Sequence, residues 1–309
     1  MTEQSKIPLP AGGPSLIERA SGTFDFRTLA RPVVPDLPPA PTPKVVAAPA
    51  PVVAPEPLAK AAPPVRQFTG ERHPVDRAHL REQCLIEPES GVTGLLEEFR
   101  IVKRQLLRTA ADERVEHGKR ILVASAHPGE GKTFCAVNLA LSMAAEKDTE
   151  VLLVDADFAK PSVLSTLGLP GGKGLMDALA DPAIAVEDCI LGTDIAGLYV
   201  LPAGNATGSD TEYLASARTE EVLARLTANA PNRVVIFDSP PVLAASPASV
   251  LANHVGQTVM VVRADMTGEA ALRDAVGLLS ACEDIKLLLN GTRFSTTGRR
   301  FGTYYGYKE

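Results

Sequence analysis

The stretch Ala126-His-Pro-Gly-Glu-Gly-Lys-Thr133 constrains this chain more than any other, because of what stands on either side of it. An apolar run over 121–125 precedes it, and an apolar helical pattern over 132–145 follows. A strand, a glycine turn, Lys-Thr and a helix in that order form a phosphate-binding loop. Gly129 and Gly131 let backbone N–H groups converge on a phosphate, and the helix N-terminus adds its positive end. Lys132 reaches the β and γ oxygens, and Thr133 offers a hydroxyl to Mg²⁺. Pro128, Glu130 and Phe134 complete the nucleotide-binding stretch. Ala126 replaces the first glycine of the strict pattern, so the reading rests on context rather than on the bare string.

Five further apolar runs, at 151–154, 198–201, 234–237, 258–262 and 285–289, alternate with helical segments. Strands apolar on both faces predict a mostly parallel sheet flanked by helices, the α/β class of P-loop NTPases. Two of the strands end in acid, as Val151-Leu-Leu-Val-Asp155-Ala-Asp157 and Val234-Val-Ile-Phe-Asp238-Ser-Pro-Pro241. Carboxylates there point to the crevice where open α/β sheets bind ligands. Each aspartate alone reads as well as a helix cap or turn residue. Together with Lys132 and Thr133, the three predict a Mg²⁺-nucleotide site.

Composition sets the remaining bounds. The 309 residues carry 31 Lys+Arg against 37 Asp+Glu, a net charge of −6, so no nucleic-acid partner is expected. The four cysteines stand singly, without metal-ligand spacing, and read as reduced thiols. No apolar run approaches the roughly 18 residues of a membrane span, which predicts a chain neither secreted nor membrane-spanning. Twelve of the 26 prolines fall between Pro32 and Pro64, the composition of an extended, solvated linker. The chain therefore divides into an N-terminal segment (1–30), a Pro/Ala-rich linker (31–75), a P-loop domain (76–290) and a flexible tail (291–309). Within the first, Ser15-Leu-Ile-Glu-Arg-Ala20 reads either as a short amphipathic helix or as disordered tail. Helices are predicted over 76–85 and 93–108, the second with Leu95, Phe99, Val102 and Leu106 along one face. Of five tyrosines, Tyr304, Tyr305 and Tyr307 crowd into the last six residues. They read as a phosphoacceptor cluster or as a docking tail.

In this combination the chain resembles the bacterial tyrosine autokinases (BY-kinases) of capsule and exopolysaccharide assembly. The resemblance rests on Pro128-Gly-Glu-Gly-Lys-Thr133, Asp155-Ala-Asp157, Pro202-Ala-Gly204, Asp238-Ser-Pro-Pro241 and the tyrosine-rich end. It extends to Glu97-x-x-Arg100-x-x-Lys103, where the family carries a Glu-x-x-Arg-x-x-Arg motif of ring-shaped self-association. The stretches Asp76-Arg-Ala-His-Leu-Arg81 and 15–20 look most like a soluble, exosortase-associated subgroup. The resemblance implies a MinD/ParA-like fold, ATP and Mg²⁺ as ligands, and phosphoryl transfer to Tyr304, Tyr305 and Tyr307 between subunits. It implies that Thr133, Asp157 and Asp238 hold the metal, that Asp155 assists deprotonation of the phenol, and that Asn290 lies where related ATPases read adenine. It also implies a homo-oligomer, a tyrosine phosphatase, and a membrane chain-length-determinant (Wzz-like) protein supplying a cytoplasmic activator segment. The location so implied is cytoplasmic, peripheral at the inner membrane. Ala159 stands where the family carries arginine, leaving Lys160 as the nearby cation, Lys103 replaces the last arginine, and Pro247 takes a position that is often aspartate. Two other readings stay open. One is a MinD/ParA-type ATPase, although His127 occupies its signature-lysine position. The other is a non-catalytic nucleotide-binding scaffold, consistent with Ala159.

Overall fold

The computed structural model describes Phe68 and residues 71–228 and 230–292. The segment 15–20, the proline-rich stretch as far as residue 67, and Tyr304, Tyr305 and Tyr307 lie outside the described residues.

Eight strands form one sheet: β1 (Arg72–His73), β2 (Arg120–Ser125), β3 (Glu150–Asp155), β4 (Leu191–Thr193), β5 (Leu198–Leu201), β6 (Arg233–Asp238), β7 (Gln257–Arg263) and β8 (Ile285–Asn290). Their order is β1-β4-β5-β3-β6-β2-β7-β8. Every neighbouring pair is parallel except β4 and β5. The six predicted strands are all present. β1 and β4 have two and three residues, too few to show any periodicity, and the sequence reading passed over them.

Successive residues of the central strands face opposite layers. Ile121 and Val123 of β2 join Leu153, Ile236 and Val261 in one core, while Leu122 and Ala124 join Leu152, Phe237 and Met260 in the other. Every residue of β2 and β6 is buried, which explains their near-continuous apolar sequences.

Four helices concern the site: α1 (Arg77–Glu82), α2 (Gly94–Ala110), α3 (Lys132–Ala144) and α4 (Val163–Leu167). Asp76 caps α1, accepting from the backbone N–H groups of Ala78 and His79 at 2.9 and 3.0 Å. Thr93 Oγ1 caps α2 by accepting from Leu96 N at 3.2 Å. Phe99 and Leu106 of α2 are buried in the core that contains α3.

Two findings differ from the sequence reading. The fold begins before Asp76, since β1 pairs with β4 and the Phe68 ring meets Tyr199 edge-on at 5.0 Å. The Arg233 guanidinium covers that phenyl ring at 3.8 Å. The second difference is Lys103, which does not join Glu97 and Arg100 on an open face. It is 4% exposed, its Nζ donates to the Ser142 carbonyl at 2.7 Å, and it pairs with Glu146 at 2.7 Å. A buried ammonium needs such partners, and Lys103 is thereby held within its own chain. Glu97 and Arg100 pair with each other one turn apart.

Candidate functional site: a phosphate cradle at the sheet edge

The loop from β2 to α3 opens at the C-terminal edge of the sheet. Gly129 has φ +77 and Gly131 has φ +97, conformations that side-chain-bearing residues rarely adopt. At Gly129 a β-carbon would meet nothing, so backbone freedom alone calls for glycine. At Gly131 it would also lie 2.2 Å from Asn290 Nδ2. Lys132 and Thr133 open α3 directly behind this turn, with Lys132 only 8% exposed.

Outer supports hold the loop in shape. Asn290, at the end of β8, donates from Nδ2 to the Glu130 carbonyl at 2.9 Å. Arg263, at the end of β7, donates to the Gly129 carbonyl at 3.2 Å. The buried Glu130 carboxylate accepts from His127 N at 2.8 Å and from the Thr267 hydroxyl. The Glu130 side chain therefore braces the loop from behind, where the sequence reading placed it among the nucleotide contacts. Phe134 turns its ring toward α2 and β8, where it lines a groove of about 390 Å³.

The acidic residues gather beside Thr133. Asp155 and Asp238 are register partners on β3 and β6. Thr133 Oγ1 donates to Asp238 Oδ2 at 2.6 Å and lies 3.2 Å from Ser162 Oγ. Burial pushes the Asp238 carboxyl up to about 7, with Thr133 and Lys132 pulling the other way and Asp155 and Asp157 adding to the rise. Burial likewise raises Asp155 to about 6, against three backbone N–H groups that favour its charged form. Those donors are Ser162 and Val163, at 2.8 and 2.9 Å, and Asp157, at 3.2 Å. Asp155 thus also anchors the start of α4. Asp157 is half-buried, and its carboxylate accepts from Lys160 N at 3.1 Å.

Among the described residues, the buried Asp238 Oδ1 has no hydrogen-bond partner. An orphaned carboxylate oxygen beside a hydroxyl and a second carboxylate suits a hard cation. Among the described residues no group of three or more potential ligands stands ready for a metal. Mg²⁺ is usually held by one or two carboxylates together with substrate phosphates.

Sequence reasoning missed Ser162, Arg263 and Thr267. Ser162 follows the Asp155-to-Pro161 motif directly and could have been found there. Thr267 meets Glu130 across 137 positions, a distance at which no local pattern operates.

Strand order, cradle and carboxylates together define a P-loop nucleotide-binding domain of phosphoryl-transfer type. The AAA domain family matches residues 118–286. Tyrosine-protein kinase YwqD of Bacillus subtilis (strain 168) is 31% identical over 215 residues, covering 69% of this chain and 87% of that protein. Tyrosine-protein kinase wzc of Salmonella typhimurium is 30% identical, covering 61% of this chain but 26% of that longer protein. The solved BceF tyrosine kinase domain is 28% identical with a TM-score of 0.53, covering 62% of this chain and 76% of that one. The chain belongs to the bacterial tyrosine-protein kinase family.

Proposed function

We propose that this kinase transfers the γ-phosphoryl group of ATP to Tyr304, Tyr305 and Tyr307 of its own tail, between copies of the chain, and so regulates capsule or exopolysaccharide polymerisation and export. The observation that carries this reading is the contact of Thr133 with Asp238, whose other oxygen is orphaned beside Asp155 at the mouth of the loop. Lys132 and the loop amides neutralise the phosphates. The Thr133 hydroxyl and the carboxylates of Asp238 and Asp157 hold Mg²⁺ or its waters, and the bound ion supplies charge neutralisation at the transferring group. Asp155 takes the phenol proton as the tyrosine oxygen bonds to phosphorus, while the bond to the β-phosphate oxygen breaks and ADP leaves. A carboxyl near 6 is matched to that task at neutral pH. Asn290, whose amide also holds the loop at Glu130, is the residue assigned to the adenine in this reading.

Glu97 and Arg100 are the subunit contacts in this reading, and Lys103 supports them from within. A membrane chain-length-determinant protein supplies the activator segment and brings the kinase to the inner membrane. A phosphatase resets the tail. Among the described residues no helix is long and apolar enough to cross a membrane, so a partner serves as anchor in this scheme.

Intact-mass analysis after incubation with Mg·ATP tests the proposal, beside Lys132→Ala and a Tyr304/Tyr305/Tyr307→Phe triple variant. A ladder of phosphate additions, absent from both variants, is expected. No addition, even with the cytoplasmic part of a candidate activator present, would leave a nucleotide-binding scaffold or an ATPase instead.

A further inference from the structure

Ser162 stands at the N-cap of α4, where a serine hydroxyl ordinarily accepts from a backbone N–H of the first turn. Among the described residues this hydroxyl makes no capping bond. The start of the helix is held from β3 instead, because Asp155 Oδ2 accepts from Ser162 N at 2.8 Å and from Val163 N at 2.9 Å. The Ser162 carbonyl is fixed as well, accepting from Thr166 N at 3.0 Å and from the Ser165 and Thr166 hydroxyls at 2.9 and 2.7 Å. With both backbone groups secured, the side chain takes no part in holding the helix. Its Oγ lies 3.2 Å from Thr133 Oγ1, 29 positions back along the chain.

The direction of that contact follows from counting hydrogens. A hydroxyl has one hydrogen to give and two lone pairs to accept with. Thr133 gives its hydrogen to Asp238 Oδ2 at 2.6 Å, so Ser162 is the donor to Thr133. The chain Ser162 to Thr133 to Asp238 thus takes one lone pair of Thr133 and leaves one open. It ends on a fully buried carboxylate whose other oxygen, Oδ1, has no hydrogen-bond partner among the described residues. An open lone pair and an orphaned carboxylate oxygen on adjoining groups suit a hard cation.

We propose that Ser162 is a positioning residue of the Mg²⁺ site. By donating to Thr133 it holds that oxygen in one rotamer, with the hydrogen committed to Asp238 and a single lone pair presented to the ion. A group that hydrogen-bonds a metal ligand in this way orients it and raises affinity for the metal. This role rests on the Mg²⁺ reading of the site and adds a residue to it. Because every backbone bond of Ser162 is independent of its hydroxyl, removing the hydroxyl leaves the anchor of α4 on Asp155 in place.

Calorimetric titration of the full chain with a non-hydrolysable ATP analogue, at stepped Mg²⁺ concentrations, tests this without any phosphate transfer. Ser162→Ala should raise the Mg²⁺ concentration that half-completes the gain in affinity by about three- to tenfold, while binding in EDTA stays within about twofold of wild type. Ser162→Thr, which keeps the hydroxyl, should restore the wild-type midpoint. In a Thr133→Ala background, Ser162→Ala should shift neither affinity nor midpoint further, because the ligand it positions is gone. An unchanged midpoint in Ser162→Ala would overturn the proposal, as would an equal loss with and without Mg²⁺, or a full Ser162→Ala effect in the Thr133→Ala background. Wild-type affinity indifferent to Mg²⁺ would remove the metal site and this inference with it. Intact Mg²⁺ dependence without phosphate transfer would overturn the autokinase reading alone.

Discussion

The Asn290 amide donates to the Glu130 carbonyl at 2.9 Å, and the same nitrogen occupies the space a β-carbon at Gly131 would need. The end of the last strand and the middle of the phosphate loop are thereby built as one surface.

Gly131→Ala meets both a left-handed φ and this clash. Each is worth on the order of 1 kcal/mol or more, so nucleotide affinity should fall at least about thirtyfold. Asn290→Ala alone leaves the Glu130 carbonyl unpaired, at about 1 kcal/mol, or roughly fivefold. The double variant should bind better than Gly131→Ala alone, because the space is freed while the φ strain remains. Calorimetric titration with a non-hydrolysable ATP analogue measures all three. A double variant no better than Gly131→Ala would refute the clash.

Asp238 makes the ligand-free fold sensitive to pH. Its carboxyl titrates near 7 when folded, against an ordinary value of 3.8. Between about pH 4 and 7 the folded chain keeps a proton that the unfolded chain has released, so this group's contribution to stability falls as pH rises through that window. Asp238→Asn removes the effect. Without nucleotide or Mg²⁺, the variant should melt several degrees above wild type at pH 8, on the order of 2 kcal/mol, and the gain should fade toward pH 5. A gain that grows on acidification would contradict the assignment.

Lys103 and Arg100 should part company in a melting experiment. Lys103→Ala strands the Ser142 carbonyl and opens a gap between α2 and α3, for a loss of about 2–3 kcal/mol. Arg100→Ala breaks a partly exposed pair with Glu97 and should cost under about 0.5 kcal/mol. Equal losses would return Lys103 to the surface role expected from the sequence.

A chain begun at Asp76 lacks β1 and the Phe68 ring beneath Arg233. It should be less stable than one begun at Arg66 by about 1–2 kcal/mol, read as a lower urea midpoint. Equal midpoints would place the boundary where the composition suggested.

The parallel core was legible because β2, β3, β6 and β7 are apolar on both faces, and the cradle because its glycines and Lys-Thr are contiguous. The inward turn of Lys103 was also written in the sequence, since Phe99, Lys103, Leu106 and Ala110 follow one buried helical stripe. The family motif drew attention instead to the spacing of Glu97, Arg100 and Lys103. β4 was hidden by its length, and the Glu130–Thr267 brace by the distance between its partners along the chain. Such contacts exist only once the sheet has brought β2 and β7 side by side.

The bond from Lys103 to the end of α3 has a mechanical meaning. α3 spans about 20 Å at 1.5 Å per residue, with the phosphate loop at one end and the Lys103 anchor at the other. A helix pinned at its far end has no slack, so it behaves as a strut. Lys103 thereby ties the end of α3 farthest from the phosphate loop to α2, the helix that carries Glu97 and Arg100.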